Sequence, residues 1–324
     1  MRIVVTGGAG FIGSHVVDAY VDLGHEVVVV DDLSVGKREQ VNPRARLHAV
    51  EVGSSEFVAL LRDLRPDVIN HHAAQTSVRH SVADPLDDCR RNILGTLNLL
   101  EGARLAGVGK VIYISSGGAI YGEPATLPCP EDNPIAADSP YGISKHTPEH
   151  YLDLYSRLHG LRYTTLRYGN VYGPRQDPYG EAGVVAIFTA RMLANQTVTI
   201  NGTGEQERDF VYIGDVVRAN ILALQSGDGV AVNIGSGRGT TINAIFHLLK
   251  TETGYQPEAL YGQAKPGETF RIYLDIDRAQ QVLGWYPAVG LADGLRLTVG
   301  SLRHAGGQGS ESLAGSGKDD GAGV

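Results

Sequence analysis

Tyr141 and Lys145, in the segment YGISK, stand four residues apart. On a helix that spacing puts both side chains on one face. A phenol with an ordinary pKa of about 10 is too weak an acid to serve as a base at neutral pH. A lysine one turn away, joined by a positively charged cofactor ring, favours the phenolate and lowers that pKa. The pair is therefore read as a proton-transfer couple.

A second cluster of residues has chemistry of another kind. Gly7, Gly10 and Gly13 form GxxGxxG between an apolar run, RIVVT, and a stretch with helical spacing of apolar residues, FIGSHVVDAYVDLG. Glycines at such a junction let the backbone turn tightly and approach a pyrophosphate, whose charge the helix N-terminus favours. The triplet alone is weak evidence, but strand before, helix after and an acid ending the second strand supply the context the mechanism needs. That acid is Asp31, in EVVVVDD. Its carboxylate accepts from both ribose hydroxyls and repels a 2′-phosphate, so the predicted cofactor is NAD rather than NADP. Phe11, Ile12, Ser34 and Gly36 flank these residues and are expected beside the cofactor. Asp32 either caps the turn locally or assists Asp31.

The elements that must position these groups alternate along the chain. Strand-like runs at 2–6, 26–32, 46–50, 67–70, 110–116 and 161–168 are separated by helical stretches near 54–64, 85–106 and 140–159. Alternation of this kind predicts an α/β fold, a Rossmann-type doubly wound parallel sheet. Prolines 128, 130, 134 and 140 mark a loop after the fifth strand. We expect a cofactor domain over 1–168, a smaller mixed α/β substrate domain over 169–303, and a return of the segment near 209–224 to the first domain. The Gly/Ser-rich stretch 304–324 has too few apolar residues to fold and is read as a disordered tail.

Composition bounds the function. The 324 residues carry a net charge of −8, which argues against a nucleic-acid partner. No apolar run approaches the ~20 residues of a membrane span. The first strand begins almost at Met1, leaving no room for a signal peptide, so a cytoplasmic location is expected. Cys89 and Cys129 show no CxxC or Cys/His spacing, so neither a disulfide framework nor a metal site is predicted.

The segments TGGAGFIGSH, HHAAQTSVRHS, RNILGTLNLLE, SSGGAIYGE, SPYGISK and LRYGNVYGPRQDPYGEAGVVAIF resemble the extended short-chain dehydrogenase/reductase family, and within it the 4-epimerases of UDP-hexoses. The resemblance runs from Met1 to about Leu302. It implies NAD-dependent inversion at C4 of a UDP-glucose or UDP-galactose through a 4-keto intermediate, and dimerisation through the helices near 85–106 and 140–159. It implies that Glu51 and Val52 meet the adenine, that Ala73, Ala74 and Gln75 line the cofactor with Asn92 and Ser115 nearby, and that Tyr168 and Asn170 flank the nicotinamide and the sugar nucleotide. It places Arg208 and Lys265 on the diphosphate, Gly183 and Val184 near the uracil, and Ile272 at a pocket wall, where it could leave room for N-acetylated sugars.

One departure concerns the reacting centre. The family usually has Ser or Thr where this chain has Gly117, so either Ser116 or a water must serve as the hydroxyl partner of Tyr141. Dehydratases and decarboxylases of this scaffold add acids at the following positions; Gly117-Gly118-Ala119 has none, which leaves hydride return as the supported outcome. A UDP-glucuronate 4-epimerase is the runner-up, a non-catalytic NAD-binding sensor the more distant alternative. Against glucuronate stands Asp177, in PRQDP, where glucuronate-acting relatives often have arginine.

Overall fold

The computed structural model describes residues 1–179, 183–264 and 269–314, the side chains of 304–314 excepted. Seven parallel strands form the central sheet: β1 (Arg2–Thr6), β2 (Glu26–Val30), β3 (Arg46–His48), β4 (Val68–His71), β5 (Lys110–Ser116), β6 (Arg162–Tyr168) and β7 (Val230–Ile234). Their spatial order is β7-β6-β5-β4-β1-β2-β3. Strand order reverses at β1, which opens a crevice beyond the carboxyl ends of β1 and β4. The apolar runs face helices on both sides. Ile3, Val5, Val27 and Val29 pack with Val16, Val17 and Tyr20 of helix α1 (Phe11–Asp22). Val4, Val28 and Ile69 pack with Phe57 and Leu61 of α2 (Ser55–Leu64) and with Leu99 and Leu100 of α3 (Gly95–Ala106). Successive strand residues thus feed opposite layers, as the pleat requires.

Two helices of this body carry the site. The run predicted over 85–106 is not one uniform helix. It opens as Pro85–Cys89, passes through a π-type turn at Arg90–Leu94, and continues as α3. Helix α4 (Pro140–His159) starts where Ser139 accepts from the Gly142 N–H (3.2 Å), with Pro140 in the first turn. It ends at Gly160, in the left-handed region.

The remaining elements build a second cluster. Helices α5 (Val184–Leu193), α7 (Ile242–Thr253) and α8 (Leu291–Ala314) enclose Phe188, Phe246, Leu249, Leu295 and Val299, beside short two- and three-stranded sheets. Helix α6 (Ile213–Ala223) lies between them in sequence but packs on α1, where the Tyr20 hydroxyl donates to the Asn220 carbonyl (3.1 Å). β7 follows and pairs with β6, a further return to the sheet that the periodicity of the sequence did not predict. The backbone of α8 continues to Ala314, past His304 where the disordered tail was expected to start. An established helix adds one hydrogen bond per residue fixed, so it propagates into poor helix formers more easily than it nucleates in them. Residues 315–324 lie outside the described residues.

Candidate active site

β1 runs into the glycine turn. Gly7 adopts φ +67°, and a Cβ there would lie 2.6 Å from the Ala73 nitrogen; one at Gly13 would lie 2.2 Å from the Gly7 carbonyl oxygen. Loop, helix and β4 end therefore meet backbone to backbone, a cradle that any side chain would fill. Gly10 caps α1 without a side-chain hydrogen bond, which leaves the first-turn N–H groups to an anion. Phe11 and Ile12 occupy that first turn, partly buried.

Asp31, only 6% exposed, accepts from the Ala9 N–H on Oδ2 and the Leu33 N–H on Oδ1, both at 2.9 Å. Burial raises its pKa above the usual carboxylate range, against these two bonds. A Cβ at Gly36 would stand 2.7 Å from Asp31 Oδ1, so glycine there keeps the carboxylate's surroundings open. Asp32 has the local role: its Oδ1 accepts from the Ser34 N–H and hydroxyl, and its Oδ2 faces Arg91 at 3.6 Å. Exposed Glu51 and buried Val52 follow β3, the Val52 carbonyl accepting from Asn98. Ala73 donates to the Thr6 hydroxyl (3.2 Å), and Ala74 and Gln75 continue this partly buried segment. Asn92, in the π-type turn, is turned inward. It accepts from the Gln75 N–H (2.8 Å) and donates to the Gln75 carbonyl and Ser144 (3.0 Å each). It positions the Gln75 segment and the catalytic helix through these bonds.

At the reacting centre α4 brings Tyr141 to the end of β5, where it lies beside Ser116, the last residue of that strand. Gly117 cannot be the partner. A Cβ at that position would point at Leu274, 2.7 Å from one methyl. Ser115 turns the other way and donates to the Lys145 carbonyl (3.3 Å), as does the Tyr113 hydroxyl (2.9 Å). Lys145 is buried, its Nζ 4.8 Å from the centre of the Tyr113 ring. Burial pulls its pKa down to about 8, opposed by Glu149 and Asp88. Burial pushes Tyr141 up to about 12, opposed by the neighbouring Ser116 and reinforced by Asp88. Desolvation, which disfavours the charged form of each group, sets the direction of both shifts.

The expected sugar-nucleotide residues are spread more widely. Asn170 donates its N–H to the Asp209 carbonyl (2.6 Å), and its side chain lies near Gly118. Tyr168 turns into the core, where its hydroxyl accepts from Asn220 (2.6 Å), so no phenol is presented to the crevice. Gly183 caps α5 and Val184 opens it. Arg208, on the strand Glu207–Arg208, donates to the Glu207 and Phe270 carbonyls. Ile272 is buried with Ile120, Tyr121, Cys129 and Leu274 rather than lining an open wall. Lys265 lies outside the described residues. Asp177 pairs with Lys37 (3.1 Å) and Arg175 with Asp18 (2.6 Å), so the Asp177 charge is matched and its repulsion toward a uronate is correspondingly weaker.

The profile of the NAD-dependent epimerase/dehydratase family matches residues 3–235. The chain belongs to this family. It is 43% identical to a UDP-glucose 4-epimerase of Mycolicibacterium smegmatis, over 94% of this chain and 99% of that one. Its fold is similar to the UDP-glucose 4-epimerase of Thermotoga maritima solved with UDP-glucose (51% identity, TM-score 0.93, covering 94% of this chain and 99% of that one). It is also similar to the UDP-glucose 4-epimerase of Thermus thermophilus solved with NAD (45% identity, TM-score 0.90, covering 94% and 100%).

Within this epimerase/dehydratase framework, several groups at the site escaped the sequence reading. Glu149 lies one helical turn beyond Lys145 and forms a buried ion pair with Arg167 of β6 (2.6 Å). Arg167 also donates to the Tyr121 hydroxyl and the Glu131 carbonyl. Asp88, 1% exposed, accepts from Gln75 and Asn92. The periodicity that linked Tyr141 to Lys145 extends to Glu149 and would have found it; no local pattern singles out Asp88. Among the described residues no group of metal-ligating side chains is assembled, and no helix is long and apolar enough to cross a membrane.

Proposed function

We propose that the protein is a UDP-glucose 4-epimerase that interconverts UDP-glucose and UDP-galactose with NAD. The observation that carries this reading is the Ser116–Tyr141–Lys145 constellation beside Gly117-Gly118-Ala119, which offers no second acid or base. The glycine cradle and buried Asp31 fit NAD: the turn has no side chain to fill the pyrophosphate path, and the carboxylate retains lone pairs for a ribose. When bound, NAD supplies a reversible hydride acceptor for sugar C4 and a positive ring beside Tyr141.

The residues of this chain do the rest. Tyr141 takes the proton of the 4-hydroxyl, and the Ser116 hydroxyl beside it serves as the partner of the phenol oxygen. Lys145 binds the nicotinamide ribose. Arg208 and Lys265 hold the diphosphate, so the 4-keto sugar stays tethered while it turns its other face, and Tyr141 returns the proton after reduction. Asn170, Gly183 and Val184 shape the sugar-nucleotide side; residues 169–303 serve mainly this half.

The assembly is a cytoplasmic homodimer. Val82, Leu86, Leu94 and Ile143 expose 55–75% of their surface along the paired helices near 78–106 and α4, an apolar face suited to a second copy. Neutral hexoses are preferred over glucuronate, a reading supported by the relatives rather than by Asp177. The test is turnover of UDP-galactose to UDP-glucose by the purified protein, with the nucleotide released on denaturation identified. Absence of turnover in NAD-loaded protein would leave the sensor reading; NADP as the released species would overturn the role of Asp31.

A further inference from the structure

We infer that Asp88 is a positioning residue of this active site, a buried carboxylate that orients Gln75 and Asn92 and, through Asn92, the stretch of α4 that carries Lys145. The inference rests on the epimerase reading only in its kinetic arm.

The geometry comes first. Asp88 sits on Pro85–Cys89, which packs against α4 just before the π-type turn. Its Oδ1 accepts from Gln75 Nε2 (2.8 Å) and Asn92 Nδ2 (3.2 Å), and Asn92 Nδ2 also reaches Ser144, the neighbour of Lys145 (3.0 Å). Two amide donors on one oxygen suit a carboxylate, which only accepts. A buried carboxylate is costly unless a positive charge answers it. Among the described residues Asp88 forms no ion pair. The other carboxylate near the lysine, Glu149, is already committed to Arg167 and His146.

Glu149 still opposes the effect of burial on Lys145 more than Asp88 does, and the remaining groups around the lysine supply no further negative charge. His71 and His72, at the end of β4, are held neutral by burial and then by Lys145 itself, His72 down to about 3. Tyr113 of β5 presents its ring, and its hydroxyl donates to a carbonyl. Arg167 on β6 is paired. Asp88 thus stands as a buried carboxylate held by amide donors, with no ion pair among the described residues. It opposes the burial that lowers Lys145 and adds to the burial that raises Tyr141.

The experiment compares Asp88→Asn and Asp88→Glu with the parent, all as NAD-bound protein. Tyrosinate absorbance is titrated with pH, Tyr141→Phe serving as the blank, and kcat/KM for UDP-galactose is followed over the same range. Removing the charge moves both ionisations to lower pH, by about 1 unit each, the size of a nearby-charge effect. Asp88→Glu keeps the charge and retains the parent titration. An Asp88→Asn titration superimposing on the parent, with only kcat reduced, overturns the inference, as does an Asp88→Glu shift equal to that of Asp88→Asn. Should neither Asp88→Asn nor Asp88→Ser give folded NAD-bound protein, Asp88 belongs to folding and the inference falls. The titration needs no substrate, so a protein inactive on UDP-galactose but shifted as expected would sink the epimerase reading and keep the role of Asp88.

Discussion

The cofactor half and the sugar-nucleotide half of this site are made of different material. Around the cofactor crevice the walls are backbone: Gly7 against Ala73, Gly13 against Gly7, and Asp31 clasped by two main-chain N–H groups. These groups sit at the ends of five- and four-residue strands in the middle of a seven-stranded sheet. On the other side, Arg208 and Ile272 ride on two-residue strands of a three-stranded sheet, and the expected contacts are long side chains. A resident cofactor suits walls that never change. A sugar that must turn over between its oxidation and its reduction suits side chains that lose and regain their partners within one binding event.

That contrast can be broken most severely where the halves meet. Tyr141→Phe is expected to lose about 10²–10⁴-fold in kcat, the contribution of a placed general base, while NAD remains bound. Steady-state epimerisation with NAD content measured in parallel checks it, and near-parent activity would refute the mechanism. On the sugar side, Arg208→Ala removes a charge-assisted contact and should weaken UDP-sugar binding about 10–100-fold, seen in KM with NAD content unchanged. Loss of NAD in this variant would dissolve the division into halves. Ser116→Ala deletes the hydroxyl proposed as the partner of Tyr141, a single neutral hydrogen bond, with an expected loss of about tenfold or less.

The smallest catalytic effect is expected from Gly117→Ser. Its Cβ would meet Leu274, so the hydroxyl cannot reach Tyr141 without displacing that side chain. Thermal unfolding should register overpacking of roughly 1–3 kcal/mol, with little gain in rate. A several-hundredfold gain in rate would show that the usual hydroxyl position matters more than Ser116.

Local chemistry was legible in the sequence because it depends on spacing along one element. The glycine turn, Asp31 at a strand end, and Tyr141 with Lys145 on one helical face all follow from periodicity. Position 117 shows the limit. Sequence identifies the departure at Gly117, but which hydroxyl replaces the missing one depends on where successive Cβ atoms point, and the structure turns 117 toward Leu274 and 116 toward Tyr141. Asp88 was invisible for a related reason, since its partners Gln75 and Asn92 come together only through tertiary packing. Desolvation is likewise non-local, so the sign of the Tyr141 shift could not be read from the neighbouring lysine. The return near 209–224 was expected from the sequence, whereas β7 rejoins the sheet by covering the edge of β6, a match that no single segment reveals.

That return has a consequence for how the protein is made. β6 has six buried positions out of seven, its outer edge is closed by β7, and β7 emerges from the ribosome after α5 and α6. The same layer is completed by Trp285, fully buried, whose indole donates to the Asp215 carbonyl (2.9 Å). A nascent chain ending near Tyr168 therefore carries the whole cofactor fingerprint yet presents an apolar strand with an open edge, a template for pairing with another chain. The cofactor-binding half cannot be cut out as a free-standing module at that point: its folding unit closes only when residues from the far end of the sequence arrive.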